Sequence, residues 1–193
     1  MKHLSKHHVV IIPGIFKREG FVRRFRTALE SNDTTVEVYR IAWVGKDSSH
    51  ASYAILRQKI QDKVRDGYAV SLIGTSAGAS VARLLFNDPS LRIASLVTIC
   101  GPVTDPNTVI FRIGKRISPT WKSTLEQSSV IAKDIAPSRI TTIIPRFDEL
   151  VPLRAMHIEG ANTVRIPGVE HLLSITAATS QYSATITDAI NME

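Results

Sequence analysis

The sequence predicts an α/β fold, a parallel sheet with helices on both faces, and three observations carry that reading. Short runs rich in Val and Ile recur along the chain, and helix-period segments separate them, the alternation that builds βαβ units rather than hairpins. The third is size: 193 residues, 44% hydrophobic and 21% charged, suffice for one core and fall short of two typical catalytic modules. One domain is therefore expected over residues 1–193.

Six strands are expected, at His8 to Ile12, Thr35 to Ile41, Ala69 to Gly74, Ile93 to Cys100, Arg139 to Pro145 and Thr163 to Ile166. Between the first two, Phe21, Val22, Phe25, Ala28 and Leu29 share one helical face, and Arg23, Arg24 and Arg26 largely face away. Tyr53, Leu56, Ile60 and Val64 repeat the period, with Gly67 as the stop. A third helix should run from Ala77 to Phe86, ended by Asn87-Asp88-Pro89. A last, Thr-rich helix follows His171 with Ile175, Tyr182, Ile186 and Ile190 inward.

Residues 101–137 break the rhythm. This excursion is longer than a normal crossover and carries Val109, Ile110, Phe111, Ile113, Ile117 and Trp121 among basic residues. Apolar residues at helical spacing fit crossover helices packed on the sheet; they equally fit a lid or wall beside a pocket.

Composition excludes several classes. With 10 Gly and 9 Pro scattered along the chain, collagen-like and disordered readings fall away. The longest apolar stretch, Val9 to Phe16, is broken by Pro13-Gly14 and stays well short of the roughly 20 residues that span a bilayer, so no stable membrane insertion is expected. The opening MKHLSKHH is basic, but the run after it has no small-residue cleavage site and reads as a strand. A single cysteine, Cys100, closes no internal disulfide, which favours a cytoplasmic location. The charge, 24 − 17 = +7, gathers at Lys17, Arg18, Arg23, Arg24 and Arg26 and at Arg112, Lys115, Arg116 and Lys122. Without a stacking or recognition-helix motif it reads as a solvated basic face, and no nucleic-acid partner is expected.

The chemistry gathers at Gly74-Thr75-Ser76-Ala77-Gly78, a G-x-S-x-G pentapeptide between a buried-looking strand and a helix. A nucleophilic serine must be lifted from the sheet on a tight turn, and flanking glycines let that backbone pass its neighbours without a Cβ clash. The helix start beside it offers free amides to an oxyanion. Serine attack also needs a base and an acid that orients the base. Asp148 follows the fifth strand and His171 the sixth, so all three groups sit past the C-terminal ends of parallel strands, on one edge of the sheet. The oxyanion donors expected are the amides of Ala77 and of Ile15, the latter in the turn Pro13-Gly14-Ile15-Phe16, where Gly14 permits close approach.

At these residues the chain resembles the α/β-hydrolase superfamily: a strand ending in a glycine turn, the elbow, an acid in an Asp-x-x-Val-Pro segment and a Gly-Val-x-His near the C-terminus. The stretch from Gly160 to His171 is most similar to that of small bacterial lipases and minimal esterases. The resemblance covers nearly the whole chain and implies a minimal α/β-hydrolase fold, with sheet order 2-1-3-4-5-6 and no large cap domain. Two positions depart from the family pattern. Pro13-Gly14 stands for the usual His-Gly of the oxyanion loop, and Thr75 stands where His is common.

Other assignments compete. Ser76 as a plain N-cap leaves Asp148 and His171 unexplained. His157 is the main rival base, and Met156-His157-Ile158 reads as helix surface or packing; His3, His7 and His8 belong to the opposite edge. Asp105 ranks second as the acid, while Glu149 and Glu170 are expected to face solvent. Cys100 reads as a buried small hydrophobe. The expectation is a serine hydrolase acting on a small or medium acyl ester, with Phe16, Thr75, Phe111 and Trp121 as candidate pocket residues and a small-molecule ester as partner. No metal or organic cofactor is called for. The different-class alternative is a non-catalytic scaffold of the same fold that binds a small ligand or a protein.

Overall fold

A computed structural model describes residues 6–15, 19–43, 50–106, 108, 111–112, 116, 118–128 and 136–191. Six strands, β1 (His7–Ile12), β2 (Thr34–Val38), β3 (Ala69–Thr75), β4 (Ser95–Ile99), β5 (Ile140–Pro145) and β6 (Asn162–Ile166), form one sheet in the order β2-β1-β3-β4-β5-β6. All five pairings are parallel. Every residue of β1, β4 and β5 is buried, which is why those strands show no apolar-polar alternation; the edge strand β6 is largely exposed.

Helices α1 (Glu19–Leu29), α2 (His50–Arg65), α3 (Gly78–Phe86), α4 (Pro119–Ser128), α5 (Leu153–Met156), α6 (His171–Gln181) and α7 (Ser183–Ile190) cover the sheet. On one face α1, α6 and α7 pack together, with α7 against β4; on the other, α2 and α3 cover β3 and α4 lies on α3. The inward stripe of α1 is Val22, Phe25 and Leu29; Ala28, expected with them, is exposed. In α2 Leu56 and Ile60 are buried, flanked by half-buried Tyr53 and Val64.

Three elements differ from expectation by more than one residue, each for an identifiable reason. Strand β2 stops at Val38 rather than Ile41: Tyr39 still donates to the Ile11 carbonyl at 2.9 Å, but the next donor on β1 would be Pro13, which has no N–H. Strand β4 is trimmed to Ser95–Ile99 between Arg92 and Cys100, both in the left-handed region at φ 46° and 48°. The last helix is two helices broken at Tyr182, after hydroxyls of Thr176, Thr179 and Ser180 bond back to carbonyls one turn earlier, a habit that bends helices. Ile175, Ile186 and Ile190 nevertheless turn inward, and Tyr182 is half-buried.

Within the 101–137 excursion, Phe111 and Trp121 are 2% and 8% exposed and lie ring to ring, centroids 4.8 Å apart. Ser118 fastens α4: its hydroxyl donates to the Trp43 carbonyl at 2.5 Å and accepts from the Trp121 amide at 3.1 Å. Both rings belong to the core. Val109, Ile110, Ile113 and Ile117 lie outside the described residues, as do the basic residues Lys17, Arg18 and Lys115. Among the described residues, no helix is long and apolar enough to cross a membrane.

Candidate active site

Ser76 ends the turn that follows β3 with φ 50°, a left-handed conformation that costs a non-glycine residue energy and holds the side chain up from the sheet. The turn is held by the Ser76 amide, which donates to the Ile99 carbonyl at 3.0 Å, and by the Ser76 carbonyl, which accepts from Ala79 at 2.9 Å. Close packing explains the glycines. A Cβ at Gly74 would stand 2.5 Å from the Ala79 Cα, and one at Gly78 would run into the Ile12 carbonyl. A Cβ at Gly14 would stand 2.7 Å from the Ser76 Cβ and 3.1 Å from its Oγ, so the turn after β1 lies directly against the serine.

The structure brings together the three residues picked out in the sequence. Ser76 Oγ lies 2.8 Å from His171 Nε2, and His171 Nδ1 lies 2.7 Å from Asp148 Oδ2. A carboxylate only accepts, so Nδ1 carries the ring proton and Nε2 of the neutral imidazole accepts from the serine hydroxyl. The imidazole and the carboxylate are almost wholly buried, 1% and 0% exposed, while Ser76 is only partly covered. The second carboxylate oxygen of Asp148 accepts from the amides of Leu150 at 2.9 Å and Val151 at 2.7 Å. Those bonds satisfy a buried charge that would otherwise be expensive.

Two carboxylates expected to face solvent do more. Glu149 accepts the His171 backbone N–H, at 3.0 Å and 3.3 Å to its two oxygens, so adjacent acids hold the histidine's ring and its main chain. Glu170 caps α6 by accepting from Leu173 at 2.7 Å and Leu172 at 3.1 Å, and these bonds, the Leu173 one foremost, hold its carboxyl below the usual range. An acid just before a helix start was a readable signal for Glu170. Nothing local marked Glu149, whose partner lies 22 residues away.

The rival groups lie elsewhere. Asp105 is exposed, and the Nδ1 position it would need is taken by Asp148. His157 is exposed at the end of α5. Cys100 is buried, and burial, with the charge of Asp148 second, pushes its thiol far up and away from a reactive thiolate. Thr75 is buried at the end of β3, Ile15 is half-buried after Gly14, and Ala77 is the N-cap of α3; Phe16 lies outside the described residues. Among the described residues, no group of three or more His, Cys, Asp or Glu side chains is gathered as metal ligands.

No protein-family profile and no curated protein matches the sequence. Solved structures do match its shape. A monoacylglycerol lipase of Paleococcus ferrophilus is 13% identical and aligns over 95% of this chain and 93% of its own, with TM-score 0.64. A lipase-esterase related protein of Clostridium acetobutylicum is 12% identical over 95% and 94%, with TM-score 0.66. The thioesterase RedJ of Streptomyces coelicolor is 12% identical over 96% and 91%, with TM-score 0.61. At such identities the likeness is one of architecture, and sheet order and alignment together identify the chain as a small protein of the α/β-hydrolase fold, with no separate cap domain among the described residues.

Proposed function

We propose that the protein is a serine hydrolase that cleaves carboxylic esters of small or medium acyl chain length. The observation that carries this reading is the unbroken hydrogen-bonded chain from the strained Ser76 through His171 to the buried Asp148. Its parts have the roles that acyl transfer demands. Ser76 Oγ attacks the ester carbonyl while His171 Nε2 takes its proton. Asp148 holds the tautomer and stabilises the imidazolium. The tetrahedral oxyanion is received by the amides of Ala77 and Ile15. Supporting that choice, the Ser76 amide is already spent on Ile99, and Gly14 brings the Ile15 turn against the serine. Collapse returns the proton to the leaving alcohol and leaves an acyl-serine. Water, deprotonated by His171, then releases the acid and restores Ser76. Thr75 borders this centre, while the core position of Phe111 and Trp121 supports a packing role for those rings.

The test is paired. A fluorophosphonate probe is expected to label wild type at Ser76 and to leave Ser76→Ala unlabelled, and a panel of esters of graded acyl length should be turned over only by wild type. Failure to label a folded wild-type protein would favour a binding scaffold of the same fold.

A further inference from the structure

Arg154, His157 and Arg165, with Ile144 and Leu153, line a cavity of about 360 Å³ on the β5–β6 edge of the sheet. Ile144 and Arg165 are register partners on neighbouring strands, and α5 supplies Leu153 and Arg154. The Arg154 guanidinium is steered by one weak bond, Nη2 to the Pro106 carbonyl at 3.4 Å, which leaves most of its donors unspent. Among the described residues, no carboxylate lines the cavity and none pairs with Arg154 or Arg165. Two guanidiniums and an imidazole around one concavity make a site of positive potential with forked donors, the geometry suited to a tetrahedral oxyanion. The floor of Ile144 and Leu153 is apolar, and the volume exceeds what a lone oxyanion fills.

We propose that this cavity binds a small organic phosphate, its phosphoryl oxygens gripped by Arg154, Arg165 and His157 and its carbon part resting on Ile144 and Leu153. The site is separate from Ser76, so the inference stands without the hydrolase reading. Its walls are nonetheless the roots of two loops. Ile144 and Leu153 bracket the segment that carries Asp148 and Glu149, and Arg165 precedes the segment that ends at His171.

Isothermal titration of the full chain with inorganic phosphate and with phenyl phosphate, at ionic strength held constant with NaCl, tests the assignment. Saturable binding is expected for both in wild type and equally in Ser76→Ala, with phenyl phosphate the tighter by about fivefold from burial of its ring. Arg154→Gln and Arg165→Gln should each weaken binding by about tenfold or more. Arg24→Gln, on the exposed side of α1, should change nothing. No saturable heat up to about 10 mM, a ceiling that corresponds to negligible affinity, would overturn the proposal. So would equal losses in all three arginine variants, or binding only to phosphatidic acid vesicles.

Discussion

Strand β3 and the turn that follows it carry two serines that each meet a histidine at 2.8 Å, Ser76 with His171 at one end of the sheet and Ser71 with His7 at the other. The pairs share a tautomer: His7 Nδ1 donates to the Asn191 side-chain oxygen at 3.1 Å, and its Nε2 accepts from Ser71. What differs is the third group and the setting. His171 is backed by a buried carboxylate, whereas His7 is backed by a neutral amide, and burial lowers the pKa of His7 below 6.5. Ser76 is partly open and strained, while Ser71 is fully buried and also touches Ser95 Oγ at 2.8 Å. A serine beside a histidine is therefore not yet a catalyst. In the hydrolase we propose, the carboxylate, the access and the lifted backbone are what would make one of these pairs chemically useful, while the other is a structural clasp.

The sharpest break between the two should come from the histidines. His171→Ala is expected to lower kcat for a short-chain ester by about 10⁴-fold or more, because serine and base act as a unit. His7→Ala should leave kcat within a few-fold and instead lower the urea midpoint. Equal kinetic losses would erase the distinction.

The third groups come next. Asp148→Asn should cost more than about 10²-fold in kcat, since an amide neither stabilises the imidazolium nor enforces the tautomer. Asp105→Asn should cost little. Conversely, Asn191→Asp placed in a Ser76→Ala background should gain no ester hydrolysis. Activity in that double variant would show that access matters less than argued.

The smallest effect is on stability against pH. His7 and His8 are held neutral, chiefly by burial and for His8 also by Lys63, so their folded pKa values lie below the 6.5 of the unfolded chain. Below pH 6.5 the unfolded state binds more protons than the folded one, and stability falls as the pH drops from there towards the folded values. Urea midpoints should be flat above neutrality, decline under mild acid, and decline less in His7→Gln. A midpoint that rises under mild acid would reverse the assignment.

The strands and the convergence of Ser76, Asp148 and His171 on one edge were legible from local signals, namely apolar runs, a glycine-flanked serine and polar groups just past strand ends, whereas the sheet order came from the resemblance to the α/β-hydrolase superfamily. The end of β2 was misread because its limit lies on the neighbouring strand, at Pro13. Glu149 is exposed as expected, but its bond to the His171 amide was not legible, that partner being remote in sequence. The break at Tyr182 was hidden in hydroxyls whose choice between solvent and backbone is a matter of rotamers. Ser71 looked like one more strand residue, and only the fold reveals its clasp on His7.

That clasp also reaches the far end of the chain. Ser71 and Ser95 Oγ both lie 3.3 Å from the Ile190 carbonyl, and α7 covers β4. During synthesis, the 119 steps from Ser71 to Ile190 take on the order of ten seconds at about 5–20 residues per second. Throughout that interval the face of the sheet that α7 will cover lacks its roof, and Ser95, once made, waits with Ser71 for the Ile190 carbonyl. Folding can therefore finish only once the segment up to Ile190 has left the ribosome, so pairing of the strands should precede the docking of α7.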